Sequence, residues 1–200
     1  MIGIDLRVKR DATIFGEGDL PEYCYRLVSG MVRLCKHMPD GRRQISQFLH
    51  PGDFFGFDDC GEHSFTAEAV CDAGLTSYPQ RKVMQLSDET PAVRSMLLKV
   101  LSQNVSELQR HLVVLGRQSA RERVASFLLL LSERVPSEEE KVLNLSMSRR
   151  DIADYLGLTV ETVSRTISEL KRRRVIEEGT ASQMRLREMG TLHALAGGEE

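Results

Sequence analysis

Long apolar runs are missing from this 200-residue chain. The longest, Phe127 to Leu131, holds five residues, far short of the roughly 18–20 that cross a bilayer. Met1 to Arg10 carries Asp5, Arg7, Lys9 and Arg10 and lacks an apolar h-region, so it does not read as a secretory signal. A membrane-spanning or secreted protein is therefore disfavoured, and a cytoplasmic one is expected. Cysteine is scarce: Cys24, Cys35, Cys60 and Cys71, with no Cys-x-x-Cys pair. This argues against a disulfide framework and for reduced thiols. A P-loop, a nucleophile elbow and a dinucleotide-binding glycine motif are all absent, so no enzyme is indicated. Cys60-Gly61-Glu62-His63 offers one thiol and one imidazole where a structural zinc normally takes four N or S ligands. His37, His50, His111 and His193 form no pattern, and no metal is expected.

What is present supports a folded protein with one unusual segment. The chain is 41% hydrophobic and 28% charged, enough to bury a core and unlike a disordered composition. The formal net charge of −2 hides a gradient: residues 117–176 hold 12 basic against 9 acidic side chains. A basic segment inside an acidic chain suggests a local contact with a polyanion.

The first 80 residues are divided at short intervals by turn signals at Gly16 and Gly18, Gly30, Asp40-Gly41, Pro51-Gly52, Gly61 and Asp72 with Gly74. Between them Tyr25–Val28, Val32–Cys35 and Ile45–Phe48 partly alternate in polarity. Such spacing predicts a β-sandwich or barrel. The pattern changes after Pro91. Leu98, Leu101, Val105, Leu108, Leu112 and Leu115 follow spacings of 3, 4, 3, 4 and 3, the seam of a coiled coil. A helix over about 91–115 is predicted, interrupted by Gly116, with these six residues pairing against a second copy. A second helix over about 119–133 turns Val124, Phe127, Leu128 and Leu131 inward. Pro136 to Glu140 reads as a solvated turn and Val142 to Leu145 as a short strand.

The informative stretch runs from Ser148 to Leu170. Ser148 with Asp151 has the spacing of a capping box. Gly157 supplies a left-handed helix end, and Thr159 caps the next helix. Two short helices joined by a tight glycine turn make a helix-turn-helix. On the second helix Val163, Ile167 and Leu170 form an apolar stripe, while Glu161, Ser164, Arg165 and Ser168 form the opposite one. Arg165 can donate two hydrogen bonds to guanine O6 and N7, and Glu161 can accept from a cytosine N4 amine. Ser164 is small enough for close approach. Ser148, Arg149, Arg150, Thr159, Thr162, Ser168 and Lys171 are placed to meet phosphates, which fix register without reading sequence. The competing reading of Glu161 and Arg165 is a surface i, i+4 ion pair worth about 0.3 kcal/mol. After this helix, Val175-Ile176 and Met184 to Leu186 read as two strands of a wing around Gly179, followed by a frayed tail.

On these residues the chain resembles the CRP/FNR superfamily of bacterial transcription regulators over nearly its whole length. Gly16-Glu17-Gly18-Asp19, Arg26 to Gly30 and Pro51-Gly52-Asp53-Phe54-Phe55-Gly56 are similar to that family's β-roll. Leu156 to Arg165, with its Glu-x-x-Ser-Arg triplet, resembles the FNR and FixK branch, and His63 to Val70 looks like its rhizobial FixK members. The resemblance implies an α+β chain. Its parts would be a cyclic-nucleotide-binding-like β-roll (1–90), a dimerisation helix (91–116) and a winged helix-turn-helix (117–200). It further implies a homodimeric activator on palindromic TTGA-type double-stranded DNA, contact with RNA polymerase, and control of genes for microaerobic respiration and nitrogen fixation. Cyclic-nucleotide binders of the family use a Glu and an Arg where this chain has Phe57 and His63. Neither replacement suits a ribose or a cyclic phosphate. Cluster-binding members use closely spaced N-terminal cysteines and a further one where this chain has Thr76. No cofactor is therefore expected. The alternative is a sensor of the same architecture that needs haem, an iron–sulfur cluster or a nucleotide.

Overall fold

Period-two stretches separated by glycine turns fold as strands through the first 79 residues. The structure is a computed structural model that describes residues 3–58, 61–134, 142–179 and 183–198. Among these residues eight strands come first: β1 Ile4–Val8, β2 Thr13–Phe15, β3 Tyr23–Ser29, β4 Val32–His37, β5 Arg43–Leu49, β6 Phe54–Phe55, β7 Thr66–Ala69 and β8 Ala73–Pro79. They form two antiparallel four-stranded sheets, ordered β1-β8-β3-β6 and β2-β7-β4-β5. Alternate side chains of both sheets meet inside: Phe15, Leu27, Val32, Leu49, Phe55, Ala67, Ala69, Ala73 and Leu75 form one buried cluster. Burial of each such side chain contributes on the order of 1.5–3 kcal/mol for the larger residues. The turn between β3 and β4 depends on Gly30. Its φ is +85°, and a Cβ there would stand 2.5 Å from the Asp72 carbonyl oxygen.

Among the described residues, six helices and three strands follow: α1 Gln80–Glu89, α2 Pro91–Arg117, α3 Ala120–Glu133, β9 Val142–Asn144, α4 Arg149–Leu156, α5 Val160–Arg172, β10 Ile176–Glu178, β11 Gln183–Leu186 and α6 Met189–Ala196. The chain divides into two compact units, residues 1–109 and 110–200. Among the described residues no helix is long and apolar enough to cross a membrane.

Three features depart from expectation. Gly116 does not interrupt α2, which continues to Arg117. An isolated helical glycine costs only about 1 kcal/mol, and the carbonyls at this helix end are captured from outside. Arg123 on α3 donates to the Leu115 and Gln118 oxygens, each at 2.9 Å. The wing has a third strand, because β9 pairs with β11 in the order β10-β11-β9. Finally, α1 and α6 are helices where none was anticipated. The expected turn at Pro136 to Glu140 lies outside the described residues.

Candidate nucleic-acid interface

The second unit builds its interface from two capped helices. At the start of α4 the Ser148 hydroxyl accepts from the Asp151 amide at 3.1 Å, while the Asp151 carboxylate accepts from the Ser148 amide at 2.9 Å and from its hydroxyl at 2.7 Å. The helix ends at Gly157 in the left-handed conformation, φ 62° and ψ 39°. Thr159 then caps α5 by accepting from the Thr162 amide at 3.2 Å. A side chain other than glycine at position 157 would be strained. Arg123 also reaches this turn, donating to the Leu156 oxygen at 2.9 Å. One guanidinium thus ties the ends of α2 and α4 to α3.

The two faces of α5 have opposite characters. Val163, Thr166, Ile167 and Leu170 are buried. Glu161, Arg165 and Ser168 are exposed and Ser164 is half-buried. Glu161 and Arg165 do not pair with one another, and no hydrogen bond or ion pair engages either side chain among the described residues. Arg165 and Thr162 border an open groove of about 370 Å³ whose other wall is the start of α3. There Ser119 and Glu122 form a capping box, and Arg121 pairs with Glu169 of α5 at 3.2 Å. The Ser-x-x-Glu spacing at 119–122 is a local signal for this helix start. The Arg121–Glu169 pairing has no such signal, since it joins residues 48 apart.

The candidate phosphate-contacting residues fall into three groups. Ser148, Thr159 and Thr162 have hydroxyls already used in capping, with the Thr159 and Thr162 oxygens 3.1 Å apart. Arg150 and Ser168 are exposed. Arg149 and Lys171 are held by one carboxylate of the wing, Glu178, at 3.1 and 2.6 Å. The two cations hold that carboxyl below the usual range, the Lys171 hydrogen bond most of all.

Of the six seam residues of α2, Leu98, Leu101, Val105, Leu108 and Leu112 are exposed, Leu112 by 70%. Leu115 is half-buried, with its Cδ2 beside Gly157. His111 is on the same helix, beside the end of the seam. It is buried and stacked on Tyr155 with ring centroids 4.0 Å apart. Burial, helped by the charge of Arg123, pushes its pKa down to about 4, so the ring is neutral at physiological pH.

In the first unit His63 is almost wholly buried. Its ring stacks on Phe15 at 3.7 Å, and its Nδ1 lies 2.8 Å from an Asp58 oxygen. Cys60 lies outside the described residues. A different group, Cys35, His37 and Glu68, brings its donor atoms within 4.8 Å of one another. Burial pushes the Cys35 thiol up to about 12, and Glu68 adds to the effect. Glu68 is paired with buried Arg33 at 2.8 Å and approached by Arg43 at 3.8 Å. A cation there would have to deprotonate a buried thiol and compete with two guanidiniums, so the arrangement reads as a buried ion cluster.

Comparison with known proteins places these features in context. A Crp-like helix-turn-helix domain matches residues 122–195, and a cyclic nucleotide-binding domain matches residues 5–90. The chain is 44% identical to the nitrogen fixation regulation protein FixK of Rhizobium meliloti over 82% of its own length and 73% of that protein's. It is 39% identical to the FixK of Azorhizobium caulinodans over 93% of its own length and 76% of that protein's. The structure of FixK2 from Bradyrhizobium japonicum superposes with a TM-score of 0.92 at 36% identity, covering 98% of both chains.

Proposed function

Because the chain belongs to the CRP/FNR family of transcription regulators and is similar to its FixK members, we propose that it acts as a homodimeric transcriptional activator. Its targets are palindromic TTGA-type sites, and it needs no effector or cofactor. The observation that carries this reading is the outer face of α5, where Glu161 and Arg165 stand exposed and unpaired. Arg165 donates to the guanine of the half-site. Glu161, one turn earlier, accepts from the cytosine paired with it, and Ser164 closes the reading triplet. Arg149, Arg150, Ser168 and Lys171 meet phosphates, and the caps at Ser148, Thr159 and Thr162 fix the helices that carry them.

The exposed leucine and valine stripe of α2 supports dimerisation, with Leu98, Leu101, Val105, Leu108 and Leu112 as knobs and Leu115 at the end of the seam. Two copies then set their α5 helices in successive major grooves about 34–36 Å apart. The engagement of His63 by Asp58 and Phe15 supports a β-roll that keeps the family fold without an effector. The names of the FixK relatives support target genes in nitrogen fixation, and the family resemblance adds genes of microaerobic respiration and RNA polymerase as the partner at the promoter.

The test is fluorescence anisotropy of the metal-free, nucleotide-free protein on a palindromic TTGA-type duplex, with scrambled and guanine-substituted duplexes at the same salt. Selective binding with two protomers per duplex is expected. Arg165→Ala should cost about 1–3 kcal/mol on the TTGA duplex and relax selectivity at the guanine. Equal affinity of the unsubstituted protein for all three duplexes would overturn the reading.

A further inference from the structure

We propose that Glu178, on the first strand of the wing, is a counter-charge built into the DNA-binding face that holds Arg149 and Lys171 until a phosphate replaces it. The proposal rests on the DNA-binding reading above. Glu178 joins two helices: its Oε2 accepts from Lys171 Nζ at 2.6 Å near the end of α5, and its Oε1 accepts from Arg149 Nη2 at 3.1 Å at the first residue of α4. All three side chains remain partly exposed, Arg149 by 32%, Lys171 by 40% and Glu178 by 45%, so a polyanion can reach them. Arg149 is incompletely satisfied where it stands. Its Nη1 is shielded from water and has no hydrogen-bond partner among the described residues. An orphaned buried donor is unfavourable, and turning the guanidinium outward onto a phosphate relieves it.

Exchange of a carboxylate for a phosphate leaves each cation with an anionic partner throughout. The counter-charge therefore weakens phosphate binding without leaving bare cations in the unbound protein. It also lowers the number of counterions released, because Arg149 and Lys171 are neutralised internally before DNA arrives. The base-reading pair is treated differently, since Glu161 and Arg165 carry no such partner. Non-specific binding is almost entirely electrostatic, so Glu178 acts most visibly on DNA that lacks the recognised bases.

The experiment compares the full chain with Glu178→Gln and Glu177→Gln on the TTGA-type and scrambled duplexes over a range of salt. Glu177 is the adjacent carboxylate, paired with Arg187, and removes the same formal charge. Glu178→Gln should raise affinity for the scrambled duplex roughly three- to tenfold and steepen its log–log salt slope by about 1. Glu177→Gln should do neither. Adding Lys171→Gln to Glu178→Gln should abolish most of the gain. Equal gains from the two single variants would reduce the effect to net charge and overturn the proposal, as would no gain from Glu178→Gln while the unsubstituted protein still selects the TTGA duplex. Failure of the unsubstituted protein to distinguish the duplexes would overturn the DNA-binding reading itself, and this proposal with it.

Discussion

The interior of the β-sandwich around His63 and the outer face of α5 treat polar side chains in opposite ways. His63 is buried, stacked on Phe15 and bonded to Asp58, so its bonding capacity is spent within the fold. Arg165 and Glu161 are exposed and unpaired, so theirs is available to a partner. The same division runs through the second unit, where Arg123 is spent on three backbone carbonyls while Arg165, of the same chemistry, is spent on none. Polar groups engaged within the fold away from the DNA-binding face should govern stability and leave binding alone, and the unpaired ones on α5 should do the reverse.

Arg123 gives the largest expected effect. Its three charge-assisted bonds join the ends of α2 and α4 to α3. Arg123→Ala leaves the Leu115, Gln118 and Leu156 oxygens without this donor. It should lower the unfolding free energy by about 3 kcal/mol, read as a shift in the urea midpoint. Arg165→Ala should move that midpoint by less than about 0.5 kcal/mol, as an exposed substitution with no structural partner does. A comparable loss of stability from both variants would erase the division between engaged and unpaired arginines.

His111 tests the same idea through pH. Its folded pKa is depressed to about 4 from an ordinary 6.5, chiefly by burial. Unfolding therefore takes up a proton between those values. Its contribution is fully present above pH 6.5 and is lost as pH falls toward 4. By linkage the protein should lose about 2 kcal/mol from this group between pH 7 and pH 5. His111→Phe keeps a ring against Tyr155 and cannot titrate, so its urea midpoint should fall less over the same interval. Parallel pH profiles for the two proteins would show that the imidazole is not held neutral by the fold.

What could be read from the sequence was local. The caps at Ser148 and Thr159, the left-handed Gly157 and the stripe of Val163, Ile167 and Leu170 all lie within one or two turns of the residues they organise, and periodicity and spacing expose them. The alternation in Tyr25–Val28, Val32–Cys35 and Ile45–Phe48 likewise marked strands now placed in β3, β4 and β5. What could not be read depends on distant residues. The run of α2 through Gly116 rests on Arg123 of another helix. The third wing strand rests on β9 finding β11. The pairing of Glu178 with Arg149 spans 29 positions, so a list of basic residues near the helix-turn-helix could not tell a paired cation from an unpaired one. Side-chain availability is a property of the fold, and only spacing precedes it.

His63 supplies the smallest effect among the engaged groups and the sharpest form of the comparison, because it lies within the region that matches a cyclic nucleotide-binding domain. His63→Ala removes the stack on Phe15 and the bond to Asp58, whose carboxylate is 27% exposed and keeps its hydration. The loss should be about 1 kcal/mol of unfolding free energy, visible in the urea midpoint. The ratio of affinities for the TTGA-type and scrambled duplexes should stay unchanged, because nothing in that ratio draws on an engaged side chain of the β-sandwich. A changed ratio at unchanged stability would mean that His63 belongs to the binding function, and the β-sandwich would then have to be treated as a responsive site like the face of α5.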